Sequence, residues 1–139
     1  MSSLKLNSLL EVTKAITNNA STKELLQTFE IILRDQISIG KLALYNFTNK
    51  WECILTYGLS SDFSNLNAER DLLRFKEISI VDDRLHNMFE VIIPVYHKDR
   101  PLAFVLIGDL DDDKLQLSAV IKHLPFVQTL TNIIVVAIE

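Results

Sequence analysis

Two stretches of helical periodicity open the chain. Across residues 4–18, Leu6, Leu9, Leu10 and Ile16 fall near helical spacing, with Lys5, Ser8, Glu11 and Lys14 between them, which predicts an amphipathic helix. Asn18-Asn19-Ala20-Ser21 interrupts it. Ser21 or Thr22 suits the N-cap of a second helix, because a side-chain oxygen there can accept from the free N–H groups of the first turn. Glu24 follows Ser21 at the spacing of a capping box. Leu25, Leu26, Phe29, Ile32, Leu33 and Ile37 then form one apolar stripe, and Gly40 suits its end.

The period next shortens to that of strands. Leu42–Phe47 reads as a strand, Thr48-Asn49-Lys50 as a polar turn, and Trp51–Tyr57 as the antiparallel return, ending at Gly58. Residues 59–75 read as loop with a short helix near Ala68–Leu73. Lys76–Val81 reads as a short strand, and Asp82-Asp83 and His86-Asn87 as loop. Met88–Tyr96, the polar turn His97–Arg100 and the apolar run Pro101–Gly108 predict a second hairpin.

Beyond Asp109 the helical spacing returns through Leu115, Leu117, Val120, Ile121 and Leu124. Pro125 has no N–H and disfavours helix in the residue before it, so a break or kink is expected there, with a last helix from Phe126 to Glu139. Ile133–Ile138 is apolar on every side, so that helix should be buried on more than one face. No capping signal precedes the end at Glu139, and the helix is expected to continue in a longer protein. The order α-α-β-β-(α)-β-β-β-α-α predicts an α+β fold, a central antiparallel sheet with N- and C-terminal helices packed on one face.

Composition narrows the class. The chain has 139 residues, 48% of them hydrophobic, and a net charge of −4. This is one domain with material for a core and with no basic patch for nucleic acid. The N-terminus has no continuous apolar segment of a signal peptide, and Ile133–Ile138 is too short to span a bilayer. A single cysteine, Cys53, cannot form an internal disulfide, which suits a reducing cytoplasm.

Candidate chemistry is sparse. The acidic run Asp109–Asp113 has Lys114 and Val120 where a calcium loop would need Gly and Glu. His86, His97 and His123 lack metal-ligand spacing, although His86 could form a small polar site with Asp82 and Asp83. Cys53, two residues from both Trp51 and Leu55, is expected to pack in the core beside them. No glycine-rich phosphate loop occurs among only three glycines. No catalytic residue, metal or cofactor is therefore assigned. Glu90 is a charge within an otherwise apolar strand, sharing a face with Met88 and Ile92 and directed to solvent or into a cavity.

The paired opening segments Leu9–Ile16 and Lys23–Gln27, the hairpin Val91–Val95 with Leu102–Gly108, and the closing Ile133–Glu139 resemble a GAF domain, a relative of the PAS domain. The stretch Ile31–Leu44 further resembles the N-terminal sensory region of bacterial sigma-factor-regulating serine/threonine phosphatases, whose catalytic domain lies downstream. Leu102-Ala103-Phe104 stands where GAF domains usually carry a Gly. Neither the residue set of cyclic-nucleotide GAF domains nor the Cys-His context of bilin attachment is present.

The resemblance implies that residues 1–139 form a non-enzymatic sensory domain of a longer cytoplasmic protein, relaying a signal to an effector such as a protein phosphatase. It places Tyr45, Phe47, Tyr57, Phe75 and Glu90 as candidates around a ligand cavity. A homodimer is expected through the terminal helices at Leu6, Leu10, Ile134 and Ile138. A ligand-free interaction and dimerisation scaffold is the alternative.

Overall fold

The computed structural model describes residues 3–37, 39–58, 67–85, 89–108 and 114–138, with side chains for all of these except 3–6, 82–85 and 114–121. Helix α1 (Ser3–Thr17) ends on Asn19 in a left-handed conformation, φ 58°. The Ala20 and Asn19 N–H groups bond back to the Ala15 and Ile16 carbonyls at 2.9 and 3.0 Å, closing the helix as a Schellman motif. Helix α2 (Thr22–Ile31) begins at the expected cap. The Glu24 N–H donates to Ser21 Oγ at 3.1 Å, and the Ser21 N–H donates to Glu24 Oε1 at 3.2 Å. Ser21→Ala removes one half of this exchange and is expected to lower the unfolding free energy by about 1 kcal/mol in urea titration. The last turn of α2 widens into a π-helical turn over Ile32–Gln36, with Ile32 and Leu33 buried.

Strands β1 (Lys41–Phe47), β2 (Trp51–Tyr57), β3 (Ser79–Leu85), β4 (Phe89–His97) and β5 (Arg100–Gly108) form one antiparallel sheet in the order β2-β1-β5-β4-β3. The short helix α3 (Ala68–Asp71) lies between β2 and β3. Two details differ from the sequence expectation. β3 carries Asp82 and Asp83, read above as loop, because an edge strand accepts polar residues. The β4–β5 turn shortens to Lys98-Asp99, because His97 and Arg100 pair across the ladder.

Helix α4 (Lys114–Ala137) runs through Pro125 without the expected break. Pro125 is exposed, so the carbonyl one turn earlier that loses its N–H partner lies toward water. Leu124, Val127, Leu130, Thr131, Ile134 and Val135 are buried along the opposite stripe. That stripe, which among the described residues starts at Leu124 just before Pro125, holds the helix onto the sheet, because burying each large aliphatic side chain is worth about 1.5–3 kcal/mol.

The sheet divides the interior in two. α1, α2 and α4 cover one face, where Val12, Phe29, Ile32, Leu33, Leu42, Leu44, Ile93, Val105 and Ile107 join the α4 stripe. The other face packs Ala43, Tyr45, Phe89, Ile92, Phe104 and Leu106 beneath Ala68 and Leu72 of the β2–β3 connection.

Candidate functional site

The face beneath α3 carries a row of aromatic rings. Phe47 and Trp51 have centroids 5.1 Å apart, Trp51 and Phe104 5.2 Å, and Phe104 and Tyr96 6.4 Å in an edge-on arrangement, geometries favoured by the ring quadrupole. Lys76 Nζ sits 5.1 Å above the Tyr96 ring and donates to its hydroxyl at 3.3 Å. The Tyr96 hydroxyl donates in turn to the Phe75 carbonyl, also at 3.3 Å.

At the Phe47 end of the row the sheet opens. The β1–β5 ladder stops at Asn46↔Ala103. Beyond it Leu102 stands as an extra residue between the pairs Val95↔Ala103 and Tyr96↔Pro101. Pro101 has no N–H with which to continue a ladder. The tips of the two hairpins therefore separate, and two adjoining cavities lie between them. One, of about 310 Å³, is lined by Phe47, Thr48, Arg100 and Leu102. The other, of about 290 Å³, is lined by Phe47, Trp51, Glu69, Leu73, Arg100 and Pro101.

A third cavity, of about 330 Å³, lies where β4 passes α4. Ser79↔Ile92 is the last described β3–β4 pair toward this end. Further along, Pro94 has no N–H to leave unpaired, and its carbonyl accepts from Gln128 Nε2 at 2.7 Å. This stretch of edge is closed to an added strand.

The candidate ligand residues separate. Tyr45 is buried in the α3-side core, where burial pushes its hydroxyl above the usual tyrosine range, with Cys53 and Asp71 adding to the shift. Phe47 lines both hairpin-tip cavities, and Phe75 packs at the margin of the same core. Glu90 is half-buried in β4, with Oε1 removed from solvent, and does not line the hairpin-tip cavities.

Tyr57 stands on the opposite face. Ile54 is an extra residue between the pairs Leu44↔Leu55 and Tyr45↔Cys53, and this bulge reverses which side of β2 faces which layer. Trp51 meets the α3-side core, whereas Leu55 and Tyr57 meet the helix-side core. The Tyr57 hydroxyl donates to the Ile39 carbonyl at 2.8 Å. Burial again pushes that hydroxyl up, with Glu30 and Asp35 adding to the shift and Arg34 opposing it.

The same bulge corrects the placement of Cys53, which is exposed and not core. Desolvation pushes its thiol above the ordinary range, against the opposing pull of backbone hydrogen bonds at Leu55 and Leu44.

Among the candidate dimer residues, Leu10 is 49% exposed, Ile134 is fully buried in the core and Ile138 is half-buried against it. The side chains of Leu6, Asp82 and Asp83 lie outside what the structure describes, as do His86 and the Asp109–Asp113 run. Among the described residues of α4, the exposed large apolar one is Val136, 57% accessible. Sequence reasoning also passed over Trp51, Glu69 and Arg100. Pro101, next to Arg100, was the available signal that a ladder ends there.

No protein-family model matches the chain, and no curated protein matches it by sequence. Among solved structures it is similar to the GAF domain of an Acinetobacter phosphoenolpyruvate-protein phosphotransferase. The TM-score is 0.60 at 13% identity, over 99% of this chain and 96% of that one. The fold is GAF-like. It is also similar to residues 122 to 287 of a methyl-accepting chemotaxis protein, with a TM-score of 0.57 at 9% identity over 92% of this chain and 98% of that one. In this GAF-like sheet the hairpin-tip cleft opens beside the α3-side core, while α1 and α4 pack together over the other face. Among the described residues no helix is long and apolar enough to cross a membrane.

Proposed function

We propose that the chain is a cytoplasmic sensory domain that relays a signal to an effector, such as a serine/threonine phosphatase downstream in the same protein, and performs no catalysis itself. One observation carries this reading: in a GAF-like fold, α1 and α4 lie together on the face opposite α3. A change at the hairpin tips has a packed route to α4, which rests on β4 and β5 and holds the Pro94 carbonyl through Gln128. A small bias in the packing of α1 and α4 is enough to shift an effector between two states. Similarity to a chemotaxis-protein fragment supports a signalling role.

In this reading two copies pair through α1 and α4. Exposed Leu10 and Val136 and half-buried Ile138 supply the apolar contact, and Leu6 stands four residues before Leu10 on α1. Burying the half of each such side chain that still meets water contributes about 0.7–1.5 kcal/mol. Leu10→Asp and Val136→Asp are each expected to weaken the dimer about tenfold or more in sedimentation equilibrium. A wild-type chain that stays monomeric at every concentration would sink the paired relay.

The filled α3-side core favours a second reading, a ligand-free scaffold for interaction and dimerisation. Phe89, Ile92, Phe104 and Leu106 are completely buried there. Native mass spectrometry of the purified protein separates the two, since a retained small molecule belongs only to the sensory reading.

A further inference from the structure

We propose that the cavity between β4 and α4 binds a small hydroxylated organic anion, a sugar acid or a sugar phosphate. Its anionic group lies at Lys76 and its hydroxyls on Gln128, Thr129 and Asn132. This names a signal for the sensory reading above and rests on that reading.

The fold leaves the space open. The described β3–β4 ladder ends at Ser79↔Ile92, so β4 has no strand on its β3 side from Pro94 to Tyr96. Lys76, ahead of β3, and α4 line the gap that remains, about 330 Å³.

The walls are largely polar, and most of their polar groups come from an otherwise apolar stretch of helix. Between Phe126 and Ala137, the polar side chains of α4 are Gln128, Thr129, Thr131 and Asn132. Thr131 is buried and donates to the Val127 carbonyl at 2.7 Å. The other three line the cavity, at the spacing of neighbours on one helix face. Gln128 spends one N–H on the Pro94 carbonyl. Among the described residues, Thr129 and Asn132 have no side-chain hydrogen-bond partner.

Lys76 sets the sign of the charge. Its Nζ is held at the wall, 3.3 Å from the Tyr96 hydroxyl and 5.1 Å above that ring. Tyr96 gives its own proton to the Phe75 carbonyl. Among the described residues no carboxylate pairs with Lys76, and none lines the cavity. An ammonium ligand would meet an unopposed like charge. An apolar ligand would strip water from Lys76, Thr129 and Asn132 without replacing its hydrogen bonds. A hydroxylated anion makes a charge-assisted bond to Lys76 and neutral ones to α4.

Calorimetric titration of the whole protein with D-gluconate and with glucose 6-phosphate tests the site, with glucose and glucosamine as the neutral and cationic counterparts. The expected result is saturable binding of an anion about tenfold or more tighter than glucose, with glucosamine weaker still. The tighter of the two anions identifies the acidic group as carboxylate or phosphate. Lys76→Gln should bring that anion to the affinity of glucose. Lys122→Gln, at an exposed lysine of α4 outside the cavity, should leave it unchanged. Asn132→Leu should weaken the anion by about threefold or more. Lys76 and Asn132 are exposed, so unfolding curves that match wild type show that the fold is kept. The site is overturned by no saturable binding of either anion, or by glucose or glucosamine binding as tightly. It is equally overturned if Lys76→Gln has no more effect than Lys122→Gln. Binding with the predicted charge dependence that leaves the dimer equilibrium untouched upholds the site and counts against the relay.

Discussion

Phe104→Ala is expected to lower the unfolding free energy by about 3–5 kcal/mol, a large share of the roughly 5–15 kcal/mol that holds a domain of this size. Phe104 has no solvent exposure and sits on β5 between Tyr45 of β1 and Pro94 of β4. Its ring contacts Trp51 on one side and Tyr96 on the other. Truncation removes the transfer free energy of the ring and leaves a hole whose walls are strands fixed by ladders on both sides, so collapse is limited. Phe104→Leu keeps most of the volume and should lose less than half as much. Urea denaturation of the two variants checks this, with Trp51 emission as the probe. A loss below about 1 kcal/mol for the alanine would mean that the layer under α3 relaxes freely, and the aromatic row would not be the rigid wall of the cleft.

Local signals in the chain were enough for much of this architecture. The capping box at Ser21 and Glu24 and the two hairpins follow from residues within one turn or one strand of each other. What failed depended on the third dimension. Period-two alternation put Cys53 on one face with both Trp51 and Leu55, but the bulge at Ile54 splits them between layers and carries Tyr57 to the helix side. A bulge is a response of β2 to its partner strand, and nothing within Trp51–Tyr57 announces it.

Pro125 is a breaker by its chemistry. It was tolerated because the ring meets solvent, a fact decided by how α4 docks. Because Ile133–Ile138 is apolar all round, its sequence does not separate Ile134 from Val136, and the packed helix buries the first and exposes the second.

The cleft was the least legible part. Phe47 was among the candidates, but Trp51, Arg100 and Glu69 come from three other segments, and the β1–β5 ladder brings the two hairpins side by side. The gaps in regular alternation at Ile54 and at Leu102 each mark a place where a strand stops serving one continuous core. The first lets β2 contribute Trp51 to one layer and Tyr57 to the other. The second ends the ladder and leaves space between the tips. The candidate cleft thus lies where the strand period breaks, and a reading based on that period is weakest there.

Gly58→Ala is expected to be the other severe substitution, at about 2–4 kcal/mol. Gly58 follows β2 with φ +71°, and a Cβ built there would lie 2.0 Å from the Gly40 carbonyl oxygen and 3.1 Å from its carbon. The dihedral alone is not decisive, since Lys98 holds φ 56° in the second hairpin turn; it accounts for about 1–2 kcal/mol. The contact accounts for the rest, because the atom in the way is backbone and no rotamer change moves it. Relief requires shifting the start of β1, where Lys41 already pairs with Gly108 of β5 and the Ile39 carbonyl is held by Tyr57. Gly58→Asn separates the two causes. Asparagine tolerates a left-handed backbone better than alanine but carries the same Cβ, so the two variants should lose nearly equal stability in thermal and urea unfolding. If asparagine instead restores most of the loss, the dihedral dominates and the approach of Gly58 to Gly40 is not what joins the end of β2 to the entry of β1.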